Sequence, residues 1–241
     1  MSTVQGGQGN IITNGLVLNL DAANPRSYPQ PYDGTTWTDL SGNGNNGTLT
    51  NGPTFNTGNG GSIVFDGVDD YVSGSLSNVN IGCISMWINP STLINSSSPL
   101  QSLIVLKYTG VSNSEWYISL GSATSLLVNE YITIADVENG TRTAIADGGS
   151  LSANAWCNLT FNFELVTYKI YVNGIQKTEI TYGGGVSQLT VPNVLQLGAW
   201  FRGLIAGPFP GKIATTQIYN RSLSSAEVTQ NYNATRARFG V

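Results

Sequence analysis

Short runs rich in β-branched and aromatic residues, separated by clusters of Gly, Asn, Ser and Pro, recur from Leu16 to Tyr219, and no other feature restricts the fold as much. After 16–20 and 63–72 the runs are 84–88, 103–108, 116–120, 126–134, 156–163, 168–172, 175–182, 194–197 and 213–219. Each is short and closed by turn-forming residues, so the spacing predicts about a dozen strands in an antiparallel sandwich or barrel.

The sharpest local signal is Tyr168-Lys169-Ile170-Tyr171-Val172-Asn173-Gly174-Ile175-Gln176-Lys177. Asn-Gly between alternating strands predicts a type I′ hairpin, because both central residues need positive φ and these two reach it at least cost. Upstream, Cys157, Leu159, Phe161 and Phe163 alternate with Asn158, Thr160 and Asn162. That period predicts one face in the core and carries the Cys157 thiol inside. Cys83, in another strand-like run, is likewise read as a buried free thiol. One helix is expected over about 224–236, where Ser224 and Glu227 have capping-box spacing. Val228, Asn231, Tyr232 and Thr235 fall on one side of it and Gly240 can end it. So short a helix is expected to tuck against a sheet edge.

Charged residues make up 10% of the chain, Gly numbers 29 and the net charge is −4. Solubility therefore rests on neutral polar side chains. The scattered Lys and Arg form no cluster able to release phosphate counterions, which argues against a nucleic-acid partner. No window approaches about 18 consecutive apolar residues, so no membrane span is expected. Residues 1–14 have little to bury and read as a flexible arm ahead of a single domain, 15–241. The start of the chain has neither the basic stretch nor the apolar core of a secretory signal, so export by that route is not expected.

The segment 63–72 places strand, acidic turn and strand in succession. Asp66-Gly67 supplies turn chemistry, and Asp66, Asp69 and Asp70 stand within five residues. These carboxylates fit hard oxygen ligands for calcium, with Asp39 or Asn43 of the Gly/Asn-rich loop 37–47 joining them. The weightier reading, because no spacing as tight as an EF-hand loop is present, is a turn in which Asp66 bonds nearby amides while Asp69 and Asp70 are solvated turn acids.

No catalytic set is assembled. Glu115, Glu130, Glu138, Glu164, Glu179 and Glu227 include no pair two or four residues apart, the spacing that same-strand acids would need. The absence of His excludes a Ser-His-Asp triad and a His-ligated zinc. Sugar platforms could come from Trp116, Tyr131, Tyr182, Trp200 and Phe201, although sandwich aromatics are more often core residues. The stretch 199–210 stands out with Trp200, Phe201, Leu204, Ile205 and Phe209. Exposed, it marks a carbohydrate or partner contact; folded over a sheet face, it is a lid.

Several motifs, in order, resemble the concanavalin A-like, laminin-G-like jelly-roll superfamily, of the type found in tailed-phage virion proteins and bacterial surface proteins. They are Gly15-Leu16-Val17-Leu18-Asn19-Leu20-Asp21-Ala22, Trp37-Thr38-Asp39-Leu40-Ser41-Gly42-Asn43-Gly44, Phe65-Asp66-Gly67-Val68-Asp69-Asp70-Tyr71-Val72, Ile84-Ser85-Met86-Trp87-Ile88, Trp156-Cys157-Asn158-Leu159-Thr160, Tyr171-Val172-Asn173-Gly174 and Gly211-Lys212-Ile213-Ala214 leading to Ile218-Tyr219-Asn220-Arg221. The resemblance implies an all-β, two-sheet antiparallel jelly-roll sandwich with one short C-terminal helix. It also implies calcium in several families and glucanase activity in others.

Together with the missing catalytic set, the absent secretion signal, the arm and the apolar loop, this suggests a non-enzymatic bacteriophage virion structural protein. A head decoration, spike or fibre-associated subunit at the virion surface would have capsid, spike or tail proteins, further copies of itself and a host glycan as partners. The alternative is a carbohydrate-binding, lectin-like module of a bacterial or phage surface protein; glycoside hydrolase is the weakest reading.

Overall fold

The computed structural model describes residues 10–76, 80–93, 101–107, 115–120, 131–136, 141–146, 151–164, 167–181, 193–201 and 205–241. In chain order the strands are β1 (Leu16–Asp21), β2 (Thr36–Trp37), β3 (Gly47–Thr50), β4 (Thr54–Asn56), β5 (Ser62–Asp66), β6 (Tyr71–Ser75), β7 (Cys83–Pro90), β8 (Gln101–Lys107) and β9 (Glu115–Leu120). They continue with β10 (Tyr131–Asp136), β11 (Thr141–Ala146), β12 (Cys157–Phe163), β13 (Thr167–Val172), β14 (Ile175–Thr181), β15 (Val194–Leu197), β16 (Trp200–Phe201), β17 (Ile205–Ala206) and β18 (Pro210–Tyr219), followed by helix α1 (Ser225–Thr235) and a 3-10 turn (Arg236–Phe239).

One antiparallel sheet runs β14-β13-β12-β7-β18-β5-β4 with β1 also on β18, and the second runs β11-β10-β9-β8-β15-β6-β3-β2. This is the expected two-sheet sandwich with a C-terminal helix. The long β18 organises the first sheet, pairing with β7 along one side and with β5 and then β1 along the other. Ile84, Met86, Ile88, Leu159, Phe161, Ile213 and Ile218 face Val72, Ile104, Leu106, Ile118, Leu195 and Leu197 across the interior, all essentially inaccessible. Each such side chain contributes roughly 1.5–3 kcal/mol relative to exposure. Among the described residues no helix is long and apolar enough to cross a membrane.

The local signals fold as their chemistry requires. Asn173 and Gly174 adopt φ of 52° and 74° between β13 and β14. Cys157, Leu159, Phe161 and Phe163 enter the core, and Cys83 and Cys157 are buried and not joined in a disulfide. The polar face of β12 is buried as well, because the segment entering α1 crosses it. Asn162 exchanges two hydrogen bonds with the Leu223 backbone, and Thr160 Oγ1 donates to Ser85 Oγ at 3.0 Å.

The helix begins with the predicted capping box. Ser224 N donates to Glu227 Oε2 at 2.9 Å, Glu227 N donates to Ser224 Oγ at 3.3 Å, and Arg221 forks the same carboxylate at 3.0 and 2.6 Å. Chiefly the Arg221 guanidinium, and then the Ser224 amide, hold Glu227 down at about 2. Contrary to expectation, α1 lies on the middle of the first sheet's outer face rather than at an edge. Cys83, Tyr171 and Tyr219 make that face apolar, and Leu223 and Val228 bury them.

The stretch 10–14, expected as the end of a flexible arm, is docked on this helix. Ile12 N donates to Asn231 Oδ1 at 2.8 Å, Tyr219 Oη donates to the Ile12 carbonyl at 3.1 Å, and Gln230 Nε2 donates to the Asn10 carbonyl at 2.8 Å. The rest of the arm lies outside the described residues.

Candidate functional site

The acidic turn is a corner between the two sheets, since β5 belongs to the first and β6 to the second. Carboxylate oxygens of Asp66, Asp69 and Asp70 lie within 4.8 Å of one another. Two of them have backbone partners: Asp66 Oδ1 accepts from Val68 N at 2.7 Å and Asp70 Oδ2 accepts from Asp66 N at 2.9 Å. Gly67 turns the chain at φ +78° against Pro210, where a Cβ would approach to 2.7 Å. Burial is the main cause that raises the Asp70 carboxyl above its ordinary value, with the charges of Asp66 and Asp69 adding to it. The geometry is that of a turn closed by its own side chains, and Asp70, expected as a solvated acid, is buried because its carboxylate folds back onto the Asp66 amide.

Asp39 and Asn43, expected as further calcium ligands, are engaged elsewhere. Asp39 accepts from the amides of Asn19, Ser41 and Asn45 at 2.8–3.0 Å, and Asn43 Nδ2 donates to the carbonyls of Leu16 and Val17 at 3.1 Å. These bonds clamp the Gly/Asn loop onto β1, so both residues serve the fold.

The Trp200 stretch forms the β16–β17 ribbon, with Trp200 opposite Ala206 and Phe201 opposite Ile205. Trp200 is half-buried and stacks on Tyr117 at 5.7 Å, beside Val105 on the outer face of the second sheet. Phe209, expected as a contact residue, is fully buried against Phe65 in the main core, because its amide is fixed to the Gly198 carbonyl at 2.7 Å. Leu204 and Tyr182 lie outside the described residues, as do the side chains of Phe201, Ile205, Trp116 and Tyr131.

A cleft among the described residues was not one of the expected sites. It lies near β4 and β2, the last strands of their sheets, where residues of the connections 22–35 and 51–53 meet. Tyr32 and Phe55 stack at 4.0 Å with an interplanar angle of 11°, and Tyr28 approaches them at 6.2 and 5.6 Å. Buried Tyr28 donates to the Gly34 carbonyl at 2.7 Å. Desolvation, followed by the charge of Asp33, raises its phenol. Tyr32 sits at φ +67°, a left-handed conformation that aromatic residues rarely adopt. Such outliers persist only where their surroundings over-determine them, and they concentrate at ligand sites.

The cleft has a volume of about 340 Å³, within the roughly 300–1,000 Å³ of small-molecule sites. Asp33, Thr35, Asn51 and Thr54 supply an exposed polar rim around the aromatic wall. Asn51 Nδ2 also donates to the Asp69 carbonyl at 3.0 Å, tying the rim to the acidic corner. An aromatic face edged by carbonyl, hydroxyl and amide groups is complementary to a sugar ring, which presents C–H bonds on its faces and hydroxyls around its perimeter. The sequence signal for this site is Tyr28-Pro29-Gln30-Pro31-Tyr32, two tyrosines flanking a pair of prolines in a segment without strand periodicity.

A more open groove of about 570 Å³ between Asn24 and Thr235 is crossed by an internal clamp. There Arg238 bonds Asp21 Oδ1 at 2.7 Å and the carbonyls of Asn59 and Gly61. No Glu lines either depression. Glu164 pairs with Lys169 and Glu227 with Arg221.

Residues 57–229 match the Laminin_G_3 family, described as the concanavalin A-like lectin/glucanases superfamily. Comparison with curated proteins finds no match. Among solved structures, domain 4 of AbnA, a GH43 extracellular arabinanase from Geobacillus stearothermophilus, in complex with arabinotriose, aligns with a TM-score of 0.66 and 20% identity over 90% of this chain and 98% of that one. The receptor binding domain of botulinum neurotoxin C/D mosaic serotype aligns at 0.68 and 18% over 92% of this chain and 51% of that one. The binding domain of Paraclostridial Mosquitocidal Protein 1 aligns at 0.66 and 18% over 92% and 52%. The chain thus spans about half the length of these two binding domains, and at such identities the likeness is one of fold.

Proposed function

The chain belongs to the concanavalin A-like lectin/glucanases superfamily, and from that premise we propose that it is a non-catalytic carbohydrate-binding module with its ligand in the Tyr28–Tyr32–Phe55 cleft. The observation that carries this reading is the Tyr32–Phe55 wall, open to a rim of polar side chains and built around a tyrosine at positive φ. The arabinanase domain that shares the fold binds arabinotriose, which supports an oligosaccharide as ligand. A non-catalytic role agrees with the absence of Glu from the cleft and with the ion pairs that occupy Glu164 and Glu227.

Titration calorimetry with arabinotriose and a panel of neutral trisaccharides tests the site. Binding is expected for the intact protein and is lost in Tyr32→Gly, which removes the ring while suiting the local φ. Binding that survives Tyr32→Gly unchanged would place the ligand elsewhere.

A second reading, a bacteriophage virion subunit at the particle surface, draws on the β16–β17 ribbon, which stands on the outer face of the second sheet with Trp200 half-buried. Copurification with intact particles is its expected outcome. Absence of the chain from purified particles removes it.

A further inference from the structure

The carboxylates around the cleft have a consequence for what it can hold. Asp33 lines it and is exposed. Behind the Asn51–Gly52 wall stand Asp66, Asp69 and Asp70: Asn51 bonds the Asp69 carbonyl at 3.0 Å, and a Cβ built on Gly52 would lie 3.9 Å from Asp70 Oδ1. None of the lining residues is Lys or Arg. An anionic ligand in the cleft would therefore meet the Asp33 carboxylate, with the acidic corner behind the wall, and no cation among the lining residues.

Resting on the cleft as the saccharide site, we infer that it selects neutral or amine-bearing sugars and rejects uronic, sialic and sulfated ones, with Asp33 as the specificity-determining residue. Discrimination arises from repulsion as well as from attraction, and a like charge facing an anionic ligand is the simplest repulsive element. Two unit charges about 4 Å apart in water interact by about 1 kcal/mol. That energy corresponds to roughly a fivefold change in affinity for each facing carboxylate. Tyr28 already registers the field of Asp33, since that carboxylate adds to the rise of its phenol. The hydroxyls of a neutral sugar meet no such penalty and can donate to the Asp33 carboxylate.

The test is titration of the full chain with arabinotriose, chitosan trimer and trigalacturonate at low salt and at about 0.3 M salt. The best neutral or amine-bearing trisaccharide is expected to bind at least about tenfold tighter than trigalacturonate. The gap should narrow at high salt as repulsion is screened. Asp33→Asn should raise the affinity for trigalacturonate relative to arabinotriose about three- to fivefold. Asp33 is exposed in a loop, so this variant keeps the fold, and an unchanged melting temperature verifies it. Trigalacturonate binding as tight as any neutral ligand, or unmoved by Asp33→Asn, overturns the inference while leaving the cleft as the site. Absence of binding by all three saccharides, or binding indifferent to Tyr32→Gly, overturns the cleft itself and the selectivity with it.

Discussion

Two aromatic clusters in this molecule look alike on paper and differ in what lies over them. Beneath the C-terminal helix, Trp87 stacks on Phe239 at 4.0 Å and on Tyr232 at 5.8 Å, while Trp156 tilts against Phe239 at 4.8 Å. Their polar atoms are partnered inside the domain, Trp87 Nε1 with Thr235 Oγ1 at 2.8 Å and Trp156 Nε1 with Asn59 Oδ1 at 3.0 Å. At the sheet edges, Tyr28, Tyr32 and Phe55 stack just as closely, but they line an open cleft and one of them occupies a strained backbone conformation. Stacking therefore does not identify a binding surface. Coverage does: the first cluster secures a helix, and the second leaves half-buried Tyr32 and Phe55 at an open cleft beside buried Tyr28.

The largest effect that would break this contrast is on stability. Trp87→Ala removes a nearly inaccessible ring and its hydrogen bond under α1, and should cost about 3–5 kcal/mol in chemical denaturation without a specific effect on saccharide affinity. A loss below about 1 kcal/mol would show that the helix is not held by this cluster.

Next in size is the helix start. Glu227→Gln should cost about 1 kcal/mol at pH 7, through the capping box and the Arg221 fork. Since the folded carboxyl is depressed to about 2, wild type carries this stability above the ordinary Glu range and loses it as pH falls toward 2. The melting-temperature gap to the variant should shrink over that interval; a gap independent of pH would separate the helix start from the ion pair.

The smallest effect concerns the corner behind the cleft. The Asp70 carboxyl is raised, so the fold is favoured while that group is protonated and loses stability as pH rises from the ordinary Asp value through the folded one. Asp70→Asn keeps an acceptor for the Asp66 amide and should raise stability by a few tenths of a kcal/mol at pH 7, with no gain near pH 3. Should the variant instead be less stable and lose a calcium-dependent rise in melting temperature, the three aspartates would be calcium ligands.

What the sequence reveals about these regions depends on how far apart the contributing residues lie. Asn173-Gly174, the Ser224–Glu227 box and the core alternation of β12 are legible because their causes span a few residues. The covered cluster depends on Trp87 meeting residues near the C-terminus, and the edge cleft on β2–β3 and β4–β5 pairings in separate sheets. Only the two tyrosines flanking the proline pair hint at it locally. The same limit explains Phe209, which belongs to a conspicuously apolar stretch yet turns inward where the chain returns to β18. Helix length alone points to an edge; the apolar outer residues Cys83, Tyr171 and Tyr219 come from three strands, and only their assembly reveals the face that α1 covers.

The position of β18 sets an order in time. It is the last strand in sequence and yet the central one of its sheet, pairing with β7, β5 and β1. As the chain emerges during synthesis, β7 and β5 stay unjoined until this strand appears, and the Leu16–Tyr219 register closes across almost the whole domain. Long-range closure of this kind slows folding, and open strand edges invite pairing with other chains. The interval before β18 arrives is thus one in which the edges of β7, β5 and β1 that it will cover stay open.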